Sequence, residues 1–306
     1  MASLVAVAGC LLAGLALARL RVMPTGAAAL NAYAIHVALP ALIVRQIAAL
    51  ELGADALLPA LVPWAVLVAS AGVVLAVARA RRWSREVTGA LLLVVPLGNT
   101  AFLGLPLTQA ALGAEALPFA VIYDQAGSFL ALTLYGSFIA HAYAAPATDP
   151  REQRARRPLV EIVTFPPFLA LLVGLAAALL LPAGLPPIVD EALAIVAASL
   201  VPTVLVAVGL GWRLVLPRAA LAPWALALVV KLALAPLVAW VIVGLTGGDG
   251  IAADVVIVQS AMGPMITAGA IATARGMAPD LVAAIVGYGT LLSLGSVFVV
   301  RALLIA

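Results

Sequence analysis

Two charged residues lie inside otherwise apolar stretches of the chain, Asp124 in "VIYDQAG" and Lys231 in "LVVKLAL". A charged side chain at the centre of a membrane-spanning helix costs about 2.5–3.5 kcal/mol on insertion scales, so one that is present there is a candidate for function. The carboxyl group of Asp124 can carry a proton, and the ammonium group of Lys231 can attract an organic anion. The alternatives are that the two form a structural ion pair, or that Lys231 extends to the membrane surface.

Two further stretches combine polar side chains with glycine and proline: "PLGNTAFLGLP", residues 96–106, and "QSAMGP", residues 259–264. Proline removes a backbone N–H, and glycine costs about 1 kcal/mol relative to alanine, so a helix is expected to break in both stretches. A break creates a new helix N-terminus, whose N–H groups suit a carboxylate, while the freed carbonyls suit a cation or a proton. The alternative is that small residues only let helices pack closely.

We therefore predict one substrate site built from both stretches and Lys231, with Asp124 as the residue that carries the coupling ion. The predicted substrate-binding residues are Gly98, Asn99, Thr100, Gln259, Ser260, Gly263, Pro264 and Lys231.

The composition predicts the elements that position these residues. Of 306 residues, 66% are hydrophobic and 9% are charged, with a mean hydropathy of +1.23, whereas soluble domains contain about 25% charged residues. The chain is therefore predicted to be an all-α polytopic membrane protein. One cysteine and two histidines do not suffice for a disulfide or a metal cage, so no metal or cofactor is expected. No HExxH or Gly-x-Ser-x-Gly motif indicates an enzyme, and no nucleic-acid partner is expected.

The apolar runs are interrupted at clusters of charge and at turn residues. Since a spanning helix needs about 20 apolar residues, they predict ten transmembrane helices. The predicted spans lie near 4–18, 28–45, 57–78, 88–110, 117–141, 163–181, 190–211, 220–244, 252–273 and 281–304. Thirteen of the sixteen basic residues fall between spans on one side, which predicts a cytoplasmic face there and both termini on the extracytoplasmic side.

The two halves of the chain also resemble each other. "LVPWAVLVA" from Leu61 matches "LAPWALALV" from Leu221, and "VALPALIV" around Pro40 matches "SLVPTVLV" around Pro202. An odd number of spans per half predicts two inverted five-helix repeats. The predicted division is 1–143 for the first repeat, 144–158 for a cytoplasmic linker and 159–306 for the second repeat, with spans 4 and 9 as the corresponding broken helices.

The stretches "PLGNTAFLGLPL", "VALPALIVRQIA", "VIYDQAGSFLALTLYG" and "VVKLALAPLV" resemble the auxin efflux carrier family, whose bacterial members include malonate and malate permeases. The resemblance covers essentially the whole chain. It implies the ten-helix fold of bile-acid-type sodium symporters, in which broken helices 4 and 9 cross at the substrate site. Plant members carry an Asn-Pro pair at each crossing, whereas this chain has Asn99-Thr100 in the first and Met262-Gly263-Pro264 in the second, which makes the plant hormone a poor candidate substrate.

The residues and the resemblance together predict a secondary transporter of small organic anions, such as mono- or dicarboxylates, in the cytoplasmic (inner) membrane. Proton coupling is expected, with sodium coupling as the main alternative and a channel as a further one. The resemblance also implies alternating access, in which spans 3–5 and 8–10 move against a scaffold of spans 1, 2, 6 and 7. A homodimer through the scaffold is expected on the same grounds.

Overall fold

A bilayer core supplies no water to the backbone, so a chain this apolar has to close its hydrogen bonds within helices. The computed structural model describes residues 2–20, 23, 26–49, 56–143, 166–181, 184–211 and 220–304, and the elements within these ranges are helical. The predicted linker, residues 144–158, lies outside the described residues, as do most of the basic residues near it.

The described α-helices follow one another in a simple order. They are α1 (Ala2–Leu20), α2 (Gly26–Tyr33), α3 (Leu39–Ala48), α4 (Leu57–Arg81), α5 (Arg85–Val94), α6 (Leu105–Leu112), α7 (Leu117–Ile122), α8 (Ser137–Tyr143), α9 (Pro166–Leu180), α10 (Pro187–Ala198), α11 (Leu200–Gly211), α12 (Leu221–Val229), α13 (Ala235–Thr246), α14 (Gly250–Ser260), α15 (Ile266–Ala274) and α16 (Pro279–Leu304). Wider π-helical turns join or extend several of them, at Ala34–Ala38, Thr100–Gly104, Tyr123–Phe129, Leu132–Gly136 and Val230–Leu234, and a 3₁₀ turn at Ala114–Ala116 precedes α7.

Helices lie within each of the ten predicted apolar runs. Five helical stretches in the described part of the chain are long and apolar enough to cross a membrane: Leu57–Arg81, Ala114–Tyr143, Pro187–Leu210, Leu221–Thr246 and Pro279–Leu304. Shorter apolar helices include Ala34–Ala48, Thr100–Leu112, Pro166–Leu180 and Gly250–Ser260. The prediction of an all-helical, multi-pass membrane protein is confirmed. The count of ten spans and the inverted repeat stay predictions.

The turn between α4 and α5 shows how a basic loop ends one apolar helix and starts the next. Arg82 adopts a left-handed conformation, with φ of 53°, and Trp83 donates its N–H to the carbonyl of Ala78 at 3.0 Å. Ser84 then caps α5 by accepting a hydrogen bond from the N–H of Val87 at 3.3 Å. This tight turn brings the arginines around it to one end of both helices.

The contacts between the described helices are most extensive within two groups, which also contact each other where α3 packs on α7 and α11 on the turn Thr100–Gly104. In the first group, α1 and α2 pack on α11, and α3 packs on α9 and α10. In the second group, α4 packs on α13, α14 and the π-helical turn Tyr123–Phe129, while α5 packs on α8, α15 and α16. The first group consists of predicted spans 1, 2, 6 and 7, and the second of spans 3–5 and 8–10. The broken helices therefore lie in one bundle.

Close backbone packing holds α16 against the chain between α14 and α15. A Cβ atom on Gly263 would lie 2.8 Å from the carbonyl oxygen of Gly289 and 2.9 Å from Oγ of Ser293. Because a carbonyl oxygen cannot turn away as a side chain can, α16 would have to move to make room. Gly263 is thus required for this packing, whatever its role in binding.

We expect Gly263→Ala to lower the melting temperature of the detergent-solubilised protein, because overpacking against backbone costs about 1–3 kcal/mol. Gly72→Ala is the control for an added methyl group without a clash, since a Cβ atom on Gly72, within α4, meets nothing within 4 Å. Thermal unfolding of both variants measures the difference. Equal melting temperatures would show that α16 is not held in this way.

Candidate functional site

The two predicted helix breaks are present, and they contact each other. Helix α5 ends at Val94 and α14 ends at Ser260, and irregular chain follows each of them. Gly98 and Pro264 form an isolated antiparallel bridge there. The N–H of Asn99 donates to the carbonyl of Gly263 at 2.8 Å, and the N–H of Met265 donates to the carbonyl of Leu97 at 3.0 Å. Backbone groups that the helices leave unpaired thus find partners in the other break; we call this contact the crossing, residues 95–99 and 261–265.

A π-helical turn restarts the helix directly after the first break. The carbonyl of Asn99 accepts hydrogen bonds from the N–H groups of both Leu103 and Gly104, at 3.3 and 2.9 Å. The first N–H groups of a helix have no partner within that helix. The first residues of Thr100–Leu112 therefore present their N–H groups next to Asn99, at the positive end of the helix dipole.

A cavity of about 130 Å³ adjoins the crossing on this side. Its polar lining consists of Asn99, Thr100, Asp124, Gln125 and Thr267. The apolar lining comes from Ile35, Leu39, Ala101, Phe102, Phe129, Leu132 and Met265. The cavity thus lies between Ile35 and Leu39, on the helical stretch Ala34–Ala48, and the bundle that contains the crossing; we call it the crossing cavity.

Asp124 is buried in the wall of the crossing cavity. Thr100 Oγ1 donates to Oδ1 of the carboxylate at 2.5 Å, and Nε2 of Gln125 donates to Oδ2 at 2.6 Å. The first of these bonds joins the π-helical turn Tyr123–Phe129 to the helix that follows the break. Trp64 Nε1 donates to the carbonyl of Ala126 at 3.0 Å, which satisfies a backbone group of the same turn and fixes it against α4.

The sequence matches a known protein family over almost the whole chain, including the crossing and the residues that line the crossing cavity. The model of a family described as membrane transport proteins, the auxin efflux carrier family, matches residues 3–301. The chain belongs to this family. An uncharacterized transporter of Methanothermobacter thermautotrophicus is 27% identical over 273 residues, which make up 88% of this chain and 86% of that protein.

In this member of the auxin efflux carrier family, Lys231 lies apart from the crossing cavity. It is 2% exposed and occupies the π-helical turn Val230–Leu234. Its Nζ is 3.1 Å from the position that a Cβ atom on Gly98 would take. With Gly98, Thr100, Tyr123 and Ser128 it lines a small space beside the crossing.

The structural pair between Lys231 and Asp124 does not form. The ion pair found among the residues that the structure describes joins Arg45 to Asp190, and it involves neither of the two buried charges. Lys231 also does not extend to a membrane surface, because its side chain is buried in the small space beside Gly98. The ammonium group is thus held close to the backbone of the crossing.

Gln259 and Ser260 join α14 to the segments around Thr100 and Tyr123, and they do not line the crossing cavity. Nε2 of Gln259 is 3.4 Å from the carbonyl of Thr100, and its side-chain oxygen packs against Gly104, where a Cβ atom would collide with it. Ser260 Oγ donates to the carbonyl of Val256 at 2.7 Å and hydrogen-bonds to the Tyr123 hydroxyl at 2.9 Å. Gly263 and Pro264 contribute backbone contacts, as described above. A direct role of these four residues in substrate binding stays a prediction.

Two buried polar atoms of the cavity-lining residues have no hydrogen-bond partner in the described part of the chain: Nδ2 of Asn99 and Oε1 of Gln125. Buried polar groups in proteins are nearly always paired, so each unpaired one calls for an explanation, such as a bound ligand or water molecule. One unpaired amide donor and one unpaired amide acceptor thus belong to residues that line the crossing cavity, and Gln125 also bonds to the carboxyl group of Asp124.

Sequence reasoning missed the hydrophobic wall of this cavity and the π-helical turns. Ile35 and Leu39 are apolar, so their residue types did not indicate a site, although their spacing of four residues places them on one helix face. Thr100, Asp124 and Lys231 each lie in a π-helical turn, a feature that is rare and often found at functional sites. No short motif in the sequence announces such a turn.

We expect Thr100→Val to lower the melting temperature, since a buried acceptor that loses its donor costs about 1–3 kcal/mol. Thr100→Ser is the matched control, because it keeps the hydroxyl group and removes only a methyl group. Thermal unfolding in detergent compares the two with wild type. If valine and serine behave alike, the hydrogen bond to Asp124 contributes nothing to stability.

Proposed function

We propose that this member of the auxin efflux carrier family is a secondary transporter of small organic anions, mono- or dicarboxylates such as malonate or malate. Transport across a membrane follows from the family, and the class of solute is our inference. We further propose that transport proceeds by alternating access and is coupled to protons, with no metal or organic cofactor and no enzymatic activity.

The observation that carries the proposal is the crossing cavity with its unpaired donors. Asn99 lines this cavity, and the Nδ2 group of Asn99 is buried without a protein acceptor. Next to Asn99, the helix Thr100–Leu112 begins, and its first N–H groups and its dipole favour a negative charge. A carboxylate is the common solute group that accepts from amide and backbone N–H groups at once.

The size of the cavity also favours small solutes. It measures about 130 Å³, and an apolar cavity of about 150 Å³ accepts benzene, a molecule of about six non-hydrogen atoms. A short carboxylate falls in this range, whereas a sterol or a large aromatic hormone does not. Phe102, Phe129 and Leu132 would contact the carbon atoms of the solute.

The position of Asp124 in the same cavity supports proton coupling. An ionised Asp124 and a bound carboxylate would repel each other, and the low dielectric of the interior strengthens that repulsion. The anion therefore binds more favourably when Asp124 carries a proton, and by reciprocity the bound anion favours the proton. The two would cross the membrane together.

Lys231 would act on the anion through its field rather than through contact. Its ammonium group lies beside Gly98, in a small space separate from the crossing cavity. A buried positive charge near the crossing stabilises an anion beside Asn99, because the low dielectric of the interior weakens the interaction little. Gly98 is proposed as the residue that lets the ammonium group approach the crossing.

The proposed architecture is ten spans in two inverted repeats, with both termini on the extracytoplasmic side of the cytoplasmic membrane. The group of α1–α3 and α9–α11 would be the scaffold, and the group that contains the crossing would move against it. The packing of the helices in these two groups supports the assignment. A homodimer through the scaffold, as the family resemblance implies, completes the proposal.

Uptake into proteoliposomes with pH and sodium gradients imposed separately tests the function. We expect a panel of short carboxylates to identify a substrate whose uptake follows the pH gradient and shows saturable counterflow. Uptake driven by sodium alone would favour the sodium-coupled alternative. Uptake without counterflow would favour a channel, and no uptake of any carboxylate would contradict the proposed solute class.

We expect Asp124→Asn to abolish uptake driven by a pH gradient while substrate exchange continues, because asparagine resembles the protonated carboxyl group and cannot release a proton. Asp280→Asn is the control, since Asp280 is exposed at the start of α16. Initial rates of uptake and of exchange measure the two effects. Concentrative uptake at the wild-type rate in Asp124→Asn would remove Asp124 as the proton carrier.

We expect Asn99→Ala to raise the KM for the substrate about ten- to a hundredfold, because a hydrogen bond to a charged group contributes about 1.5–3 kcal/mol. The Asn99 side chain makes no hydrogen bond that caps the following helix, so membrane insertion and the melting temperature should change little. Counterflow kinetics and thermal unfolding test the two statements. Normal affinity in a correctly folded variant would place the anion elsewhere.

A further inference from the structure

A second and larger cavity, of about 550 Å³, lies between the scaffold and the bundle that contains the crossing. On the scaffold side it is lined by Leu42, Arg45, Gln46, Ala194, Ala197, Ala198, Leu200 and Val201. On the other side it is lined by Leu105, Pro106, Gln109, Ala110, Ala114 and Leu117. We propose that this cavity is an outer vestibule in which Arg45 binds the carboxylate group of a solute before or after it occupies the crossing cavity; the solute class rests on the function proposed above.

The helix that includes α3 connects the two cavities. Ile35 and Leu39 line the crossing cavity, and Leu42, Arg45 and Gln46 line the larger one. These positions are separated by three or four residues, so they share one face of the helix. At a rise of about 1.5 Å per residue, Arg45 lies about 9 Å further along the axis than Leu39.

The helix after the first break, Thr100–Leu112, also contributes residues to both cavities, from the opposite wall. Phe102 lines the crossing cavity, whereas Leu105 and Gln109 line the larger one. Both cavities thus belong to one groove between the scaffold and the moving bundle. Leu39 lines the crossing cavity and Leu105 lines the larger one, and both side chains are buried. Arg45 lies at the end of α3 that the charge distribution predicts to be extracytoplasmic.

Arg45 has the donors to hold an additional carboxylate. Its Nε donates to Oδ1 of Asp190 at 2.8 Å and its Nη2 donates to Oδ2 at 3.3 Å, and it makes no other hydrogen bond to a described residue. A guanidinium group carries five N–H donors in a planar fork. Arg45 lines the vestibule, whereas Asp190 does not, so the charged group that faces the cavity is positive.

Asp190 would compete with the solute for Arg45. The two side chains are 36% and 41% exposed, and ion pairs with this much solvent contact contribute about 0–1 kcal/mol. A solute carboxylate can therefore displace Asp190 at little cost. The amide groups of Gln46 and Gln109, which also line the vestibule, would complete the contacts of the bound anion.

The two residues of the pair give opposite predictions, which separates binding from a structural tether. We expect Arg45→Gln to raise the KM for external malonate about tenfold, and Asp190→Asn to lower it about threefold, because it releases Arg45. Arg301→Gln, an exposed arginine on the same predicted side, should leave the KM unchanged. If Arg45 and Asp190 only tether α3 to α10, both variants will change KM and melting temperature in the same direction, and that result overturns the proposal.

A second measurement does not require transport. In a Cys10→Ser background, Gln109→Cys places a single thiol in the vestibule, and its reaction rates with anionic and cationic methanethiosulfonate reagents report the local charge. We expect the ratio of anionic to cationic rates to fall several-fold when Arg45→Gln is added and to rise when Asp190→Asn is added. If neither substitution changes the ratio, the vestibule proposal is overturned even if malonate is transported. A normal response without uptake of any carboxylate leaves the vestibule standing and refutes the proposed function instead.

Discussion

The structure depends on one constraint, which is that backbone N–H and C=O groups inside a membrane must find partners within the protein. Two helices that stop in mid-span release such groups, and each break supplies partners for the other. The bonds from Asn99 to Gly263 and from Met265 to Leu97 are short and have no counterpart in a continuous helix. The two breaks therefore stabilise each other, because either break alone would leave its backbone groups without these hydrogen-bond partners.

The close contacts around the crossing are possible because glycines, which have no side chain, occupy the contact positions. Gly263 lets α16 reach the second break, Gly98 lets the ammonium group of Lys231 reach the first, and Gly104 accommodates Gln259. In an interior without water, dispersion contacts and hydrogen bonds replace the hydrophobic effect as the source of packing energy. Small residues thus serve stability and site geometry at the same positions, which is why neither interpretation of the glycines excludes the other.

The π-helical turns add the polar chemistry to this framework. A π-helical turn widens the helix and exposes a backbone carbonyl, and in the turn Tyr123–Phe129 the carbonyl of Ala126 is paired with Trp64. The turn also directs Asp124 to Thr100, so the acidic group is attached to the helix that begins at the break. A proton on Asp124 and an anion beside Asn99 would consequently act on the same short segment. Such a shared segment is what coupling between the two would require.

The sequence by itself determined the helical, multi-pass class of the protein, its family and the positions of both breaks. Hydropathy, the Gly-Asn-Thr stretch and the Gly-Pro pair are local properties of the sequence. They can therefore be recognised without knowledge of how distant parts of the chain pack. The tertiary structure decided which polar residues share a space. It placed Asn99, Thr100, Asp124 and Gln125 around one cavity and Lys231 in a separate space beside Gly98, and it directed Gln259 to Thr100 and Ser260 to Tyr123. Those assignments depend on how helices distant in the chain rotate and pack against each other, and no spacing within a single helix contains that information.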